Sequence, residues 1–165
     1  MILKLGIDYT EIWTDLDGVL RGLDIAALGK EAEEWGETNP EGKSTTQIID
    51  EAPELILKAP RLEYCGILHR LPPPITILTH QHKGWIPYTE KWVETNLKGL
   101  ETRLIYTKSA GEKMRYLKNG ILLIEDHPKF SDYSKVVLVR RKYNKHVEAP
   151  YSVKNPTELI ELLGL

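Results

Sequence analysis

The sequence has one cysteine, one phenylalanine and two methionines, and its charges are nearly balanced. The lone Cys65 excludes an internal disulfide, and with no basic residue beside it we expect a small buried side chain. The longest apolar runs, residues 120–124 and 136–139, are too short to span a bilayer. The formal net charge of -2 offers no basic excess for a nucleic acid. These absences argue against disulfide-stabilised, membrane-spanning and duplex DNA-binding proteins.

The remaining composition is that of an ordinary globular protein. The chain has 165 residues, of which 41% are hydrophobic and 28% are charged. This length fits a single domain that carries a sizeable insertion. The N-terminus lacks the apolar segment and the cleavage site of a signal peptide. We therefore expect a soluble, cytoplasmic monomer or homodimer that has neither a membrane nor a nucleic acid as its partner.

Five short apolar segments predict the strands of an α/β fold. The central and later segments are continuous apolar runs, as expected for strands that are covered on both faces of a parallel sheet. Helical patterns lie between them, and this alternation is typical of the α/β class. The predicted strands are residues 11–14, 75–78, 103–106, 121–124 and 136–139.

Helices are predicted between and after the later strands. Thr89 is the expected N-cap of one helix, and Pro156 is expected to open the last one. The predicted helices span residues 89–97, 110–120 and 157–163, and residues 1–7 are compatible with an edge strand.

The long connection between the first two strands predicts an inserted cap. It is about sixty residues long, whereas a plain crossover needs only about a dozen. Residues 23–35 and 46–58 have helical patterns, and Pro53 is expected to break the second one. We therefore predict a small helical cap at residues 19–70, inserted into a core formed by residues 1–18 and 71–165.

Polar side chains follow four of the predicted strands. Ligands of open α/β sheets bind at the carboxyl ends of the strands, so these side chains are expected to meet. Turn or cap formation explains each acid alone but not the whole set. Clustered carboxylates repel one another unless a cation lies between them, and Mg²⁺ prefers oxygen ligands. The residues are Asp15 and Asp17 after the first strand, Thr79 after the second, Thr107 and Lys108 after the third, and Glu125 with Asp126 after the fourth.

In this order the residues resemble the four motifs of the haloacid dehalogenase-like hydrolases. The first motif, a strand followed by DxDG, matches residues 15–18, and the second, a Thr or Ser that ends the next strand, matches Thr79. The third is a lysine before the fourth strand, and the fourth is an acidic pair, matched by residues 125–126. The DLDGVL and GILLIED stretches are most similar to the branch that contains 5'(3')-deoxyribonucleotidases. The resemblance implies a three-layer, Rossmann-like parallel sheet with a small helical cap.

The resemblance also implies an activity, which is Mg²⁺-dependent hydrolysis of a small phosphomonoester through an aspartyl-phosphate. Asp15 is the implied nucleophile, and Asp17 is the implied acid and base. Members that dehalogenate lack the second acid, so Asp17 favours phosphoryl chemistry. A nucleoside monophosphate is the favoured substrate.

Binding roles follow from the same resemblance. Lys113 is favoured over Lys108 as the motif lysine, because its distance from the acidic pair fits this branch. His80, which is followed by Gln81 and His82, is weighed as a phosphate contact against a polar loop residue. The implied phosphate-binding residues are Gly18, Thr79, His80 and Lys113. The implied metal ligands are Asp15, the backbone carbonyl of Asp17, Asp126, and Glu125 either directly or through a water.

The sequence departs from the motifs in two places. The acidic pair is Glu-Asp instead of the commoner Asp-Asp, and an asparagine that often follows has no counterpart near Phe130. Outside the motifs, Trp13 and Trp92 are expected in the core, Trp35 and Trp85 are candidates for stacking on a substrate, and residues 140–142 are expected in a solvated loop.

Two other functions are compatible with some of these residues. A polynucleotide end phosphatase would share the catalytic core but would need a more positive surface. A receiver-like phospho-acceptor module would combine the same residue types without being an enzyme. Receivers place the acidic pair after the first strand, however, whereas here the pair follows the fourth.

Overall fold

The computed structural model describes residues 8–117 and 120–165. The predicted edge strand at residues 1–7 and the predicted helix end at 118–119 lie outside the described residues. Within the described part of the chain, no helix is both long and apolar enough to cross a membrane.

The centre of the fold is a six-stranded sheet in which every pairing is parallel. Its order is β3-β2-β1-β4-β5-β6, which is the order of Rossmann-like sheets. All five predicted strands are confirmed. The sixth was missed because it has only two residues. The strands are β1 (Glu11–Thr14), β2 (Ile75–His80), β3 (Thr102–Thr107), β4 (Ile121–Glu125), β5 (Val136–Val139) and β6 (Ser152–Val153).

Helices flank the sheet, so the predicted α/β class is confirmed. Side chains alternate along β4, where Leu122 and Ile124 belong to the core on one face and Leu123 to the core on the other. The first core also contains Trp92, and the second contains Leu117. The helices are α1 (Leu23–Leu28), α2 (Thr45–Glu51), α3 (Ile86–Asn96), α4 (Ala110–Leu117) and α5 (Pro156–Leu163).

Two helix boundaries differ from the prediction. The helix predicted at residues 23–35 ends at Leu28, because Gly29 adopts a left-handed conformation with a φ of 77° that stops it. The helix predicted at residues 89–97 begins at Ile86, with a proline in its first turn. Thr89 is therefore not an N-cap. Its buried hydroxyl instead donates a hydrogen bond to Oε1 of Gln81 at 2.8 Å.

The two proline signals are confirmed. The capping box that Ser44 forms at the start of α2 was not predicted. Pro53 breaks the predicted 46–58 helix, because α2 ends at Glu51 and Pro53–Lys58 forms a 3₁₀ helix. Pro156 opens α5, as expected, and the Asn155 side chain accepts a hydrogen bond from the Glu158 N–H at 3.0 Å.

Residues 19–70 share a hydrophobic core with the sheet. Ile56 and Leu68 from this segment belong to the same cluster as Ile77 of β2 and Trp92 of α3. Trp92 also donates a hydrogen bond from its indole to the Ala59 carbonyl at 2.7 Å. The segment contains helices, as expected, but its division from the rest of the chain as a cap stays a prediction.

We expect the loss of a buried side chain from residues 19–70 to destabilise the whole molecule. Ile56→Ala removes a side chain that is fully buried in the shared core, and it should lower the free energy of unfolding by about 2–5 kcal/mol. The neighbouring Leu57 is 40% exposed, so Leu57→Ala is the matched control and should cost less than about 1 kcal/mol. Urea denaturation should give one coincident transition by circular dichroism and by tryptophan fluorescence. Separate transitions would show that residues 19–70 unfold independently.

Candidate active site

The candidate site lies where the strand order reverses between β1 and β4. Thr14 at the end of β1 is in register with Ile124 near the end of β4. Asp15 therefore lies beside Glu125 and close to Asp126, and the Asp15 N–H donates to the Ile124 carbonyl at 2.8 Å. Open α/β sheets bind ligands at this kind of position.

Lys113 of α4 joins the first and fourth strand ends. Its ammonium lies 2.8 Å from Oδ1 of Asp15 and 2.8 Å from Oε2 of Glu125. All three side chains are buried. Lys108 does not reach this group through any contact that the structure describes, and its backbone N–H bonds to Glu112 at 2.6 Å. The structure therefore brings Lys113 together with Asp15, as the sequence favoured.

Asp126 completes a group of three buried acids. Carboxylate oxygens of Asp15, Glu125 and Asp126 all lie within 4.8 Å of one another. The Tyr143 hydroxyl donates a very short hydrogen bond to Oδ2 of Asp126. The buried Asn144 amide donates to the Asp126 carbonyl at 2.8 Å and to the Val139 carbonyl at 2.8 Å.

Sequence reasoning missed both Tyr143 and Asn144. It looked for an asparagine near Phe130, whereas Asn144 reaches the acidic pair from the loop after β5. The available signal was the position of these polar residues just after the last long apolar strand.

The acids differ in how burial and charge shift their pKa values. Burial, and then the charge of Glu125, raise the pKa of Asp15 well above its ordinary value. The pKa of Asp126 is raised by burial and then by Glu125 and Asp15. Burial acts in the same direction on Glu125, but the Lys113 ammonium together with hydrogen bonds from Asp15, Lys113 and Asp126 holds that pKa below its usual range. Asp15 and Asp126 therefore keep their protons to a higher pH than a free carboxyl group does.

This donor set fits Mg²⁺. Hard divalent cations prefer carboxylate oxygens, and a cation among these acids would relieve the repulsion that raises the pKa values of Asp15 and Asp126. Glu125 is the least available of the three, because Oε2 faces Lys113 and Oε1 accepts hydrogen bonds from the Asp126 and His127 N–H groups at 3.0 and 3.1 Å.

Asp17 is held by a buried polar network. Arg21, which is fully buried, donates to its two carboxylate oxygens at 2.6 and 3.0 Å. Gln81 donates to Asp17 at 2.7 Å and to the Thr79 hydroxyl at 2.9 Å. The third Arg21 nitrogen, Nη1, donates to Thr89 at 3.0 Å. Sequence analysis did not foresee Arg21, although it lies only 4 residues after Asp17.

Gly18 lies where no larger residue fits. Its φ is +81°, and a Cβ atom there would collide with the Asp126 carboxylate and the Tyr143 hydroxyl. Arg141 donates to the Gly18 carbonyl at 2.6 Å and to Glu63 at 2.8 Å. The prediction of a solvated loop at residues 140–142 is therefore wrong for Arg141, because its side chain fixes the backbone of the loop that follows β1.

A cleft of about 320 Å³ opens above these residues. It is lined by all the predicted site residues except Glu125, which lies beneath Asp126. His80 ends β2 in the cleft wall, and burial lowers its pKa. Lining residues named in the sequence analysis are Asp15, Asp17, Gly18, Thr79, His80, Lys113 and Asp126.

Three of the four tryptophans lie where expected, whereas Trp85 belongs to the same core cluster as Trp92 although it borders the cleft. Trp13 and Trp92 are buried in the two cores, and Cys65 is buried as well. Trp35 and Trp85 line the cleft. Trp35 is 53% exposed, whereas Trp85 is buried and stacks on His82 with ring centroids 4.6 Å apart.

No protein-family model matches the chain, and no curated protein matches it.

Gly18→Ala should weaken Mg²⁺ binding and lower stability more than Gly29→Ala does. The added methyl group meets Asp126 and Tyr143, so we expect weaker Mg²⁺ binding together with a loss of stability. Gly29 has a similar φ of +77°, but an added methyl group there would lie in open space, so Gly29→Ala carries only the backbone strain of about 1–2 kcal/mol. Isothermal titration with Mg²⁺ and urea denaturation of both variants measure the difference. Equal Mg²⁺ affinities of the two variants would show that the methyl group at residue 18 does not disturb Asp126.

Mg²⁺ should stabilise the protein more strongly as the pH rises. Because the folded state raises the pKa values of Asp15 and Asp126, it binds protons that the unfolded chain releases. Their contribution to stability therefore falls as pH rises from the ordinary carboxyl range toward the raised values. Mg²⁺ competes with those protons and, at a hundred times its Kd, adds about 2.7 kcal/mol.

The measurement is the gain in Tm on adding Mg²⁺ at pH 5 and at pH 8. We expect a larger gain at pH 8, and we expect Asp126→Asn to lose most of it. Asp132→Asn changes an exposed acid nearby and serves as the control. A gain that is equal at both pH values would contradict the assignment of the site.

Proposed function

We propose that this protein is a Mg²⁺-dependent phosphomonoester hydrolase that uses Asp15 as its nucleophile. The observation that carries the proposal is the position of Lys113 between Asp15 and Glu125, beside Asp126 and at the floor of an open cleft. A structural ion pair does not need an open cleft or a third acid. This arrangement suits a carboxylate that must approach an anionic phosphate.

The reaction would proceed in two displacements. In the first, a carboxylate oxygen of Asp15 forms a bond to phosphorus while the ester P–O bond breaks, and the departing alkoxide takes up the proton of a protonated Asp17. In the second, water attacks the aspartyl-phosphate, Asp17 takes up the proton of that water, and phosphate leaves with Asp15 restored. Lys113 would offset the negative charge that gathers on Asp15 and the phosphoryl oxygens.

Asp17 is the proposed acid and base. It lines the cleft two residues from Asp15, and Arg21 and Gln81 fix its orientation. Its protonated form would supply the proton of the first displacement, and its ionised form would accept the proton of the attacking water in the second. Thr79 and His80 would contact phosphate oxygens, and Gly18 allows the phosphate to approach the backbone.

Mg²⁺ would be held by Asp15, Asp126 and the Asp17 backbone carbonyl, with Glu125 behind them. When bound, it supplies positive charge opposite the phosphate and the nucleophile. The resemblance to haloacid dehalogenase-like phosphatases supports the same assignment. Nucleoside monophosphates are the first substrates to test, because that resemblance is to the nucleotidase branch.

The charge of the cleft favours a small substrate over a polynucleotide end. Lys113 is the one lysine or arginine among the described residues that line it, whereas a polynucleotide carries one charge per nucleotide and needs several cations. The receiver-like alternative predicts a different product from phosphatase activity. It would yield a long-lived phosphoprotein that does not release phosphate.

The test is a phosphatase screen with Mg²⁺ on p-nitrophenyl phosphate, nucleoside monophosphates, sugar phosphates and a 3'-phosphorylated oligonucleotide. We expect Asp15→Asn and Asp15→Ala to lose on the order of a thousandfold or more in kcat, because each removes the nucleophile. Asp132→Asn should keep wild-type activity.

Undiminished turnover by both Asp15 variants would refute the proposal. A stable phosphoprotein formed from acetyl phosphate, without phosphate release, would support the receiver-like alternative.

A further inference from the structure

A second wall of the cleft carries three acidic side chains that come from residues 19–70. This wall, which we call the far wall, includes Asp24, Glu34 and Glu37. Glu37 pairs with Lys30 at 2.5 Å. Asp24 accepts hydrogen bonds from two backbone N–H groups, at 2.8 and 2.9 Å, but forms no ion pair within the described part of the chain. Glu34 is exposed and takes part in no side-chain hydrogen bond or ion pair of the described residues.

The cations nearest to the cleft already have acidic partners. Lys113 faces Asp15 and Glu125, and Arg21 faces Asp17. Beside the far wall, Lys30 pairs with Glu37 and Lys142 pairs with Glu33. Asp24 and Glu34 are therefore the acids of this wall that keep no cationic partner among the described residues. Acids of this kind attract a cation and repel a second anionic group.

Trp35 provides the second feature of this wall. Its side chain follows Glu34 and is 53% exposed inside the cleft. His127 and Tyr143 hold the ring at centroid distances of 4.1 and 5.4 Å. A tryptophan side chain is normally buried. Here the aromatic neighbours hold the indole in place while about half of its surface stays exposed to solvent. Indole is the aromatic side chain that binds organic cations best.

We propose that the far wall of the cleft recognises a positively charged organic group, so that the preferred substrates are monophosphate esters of alcohols that carry an ammonium group. Trp35 contacts the cation, and Glu34 and Asp24 supply the opposite charge. This inference rests on the proposed phosphomonoester hydrolysis and adds the class of leaving group to it. We expect the protein to prefer such esters over nucleoside monophosphates, whose nucleoside part is uncharged. Nucleoside diphosphates, which carry a second anionic group, should be the poorest substrates of the three.

The test compares choline phosphate with 3,3-dimethylbutyl phosphate, which has the same shape but carbon in place of the charged nitrogen. Binding to the Asp15→Asn protein with Mg²⁺, measured by isothermal titration, compares the two esters without requiring turnover. Wild-type kcat/KM gives the same comparison during hydrolysis. We expect a preference of about fivefold to thirtyfold for choline phosphate, which corresponds to one cation–π contact.

Two variants connect that preference to the far wall. Trp35→Leu and Glu34→Gln should each reduce the ratio between the two esters toward one. Tyr133→Leu and Glu54→Gln are the controls, because these side chains are also exposed but lie outside the cleft, and they should keep the wild-type ratio.

Equal affinities for the two esters in the Asp15→Asn protein would overturn the inference, even if phosphomonoesters are hydrolysed. Preferential binding of choline phosphate without any hydrolysis by the wild type would instead support the cation subsite and refute the proposed function. A ratio that survives both far-wall variants would also overturn the inference, because the charge preference would then arise elsewhere.

Discussion

A buried lysine that must neutralise two carboxylates is the constraint around which this structure is arranged. Lys113 is almost inaccessible to water and lies equally close to Asp15 and Glu125. Loss of one partner from such a buried set costs on the order of 3–5 kcal/mol, because a charge is left unpaired. Helix α4 and the ends of β1 and β4 therefore have to keep their relative positions. The same requirement fixes Asp15 at the floor of the cleft.

The loops around this group are held by polar contacts in addition to apolar packing. Asn144 ties Asp126 to the end of β5, and Arg141 ties the Gly18 carbonyl to Glu63 in the segment at residues 19–70. On the other side, Arg21 links Asp17 to Gln81 and Thr89. These contacts come from separate parts of the chain. They orient the acids in advance, so little reorganisation is needed when a charged ligand arrives.

The cleft has two ends with different charge chemistry. At the sheet, Lys113 pairs with Asp15 and Glu125, and Arg21 pairs with Asp17. At the far wall, Asp24 and Glu34 have no cationic partner in the described residues. Trp35 of the far wall contacts His127, the residue that follows Asp126. One short stretch of chain thus supports both the acidic group and the aromatic wall.

The sequence by itself determined the parallel sheet and most of the acidic site. Continuous apolar runs located β1 to β5, and the acids that follow β1 and β4 must meet because parallel strands bring their carboxyl ends to one edge. It could not determine that α1 stops at Leu28 or that Thr89 is buried inside α3, because helix ends depend on local dihedral angles and tertiary contacts. Only the tertiary structure decided that Arg21, Tyr143 and Asn144 join the site and that Lys113 rather than Lys108 reaches Asp15. Such partners lie far apart along the chain, as with Arg21 and Gln81, which are 60 residues apart, and no local pattern records which of several polar side chains will turn toward a distant carboxylate.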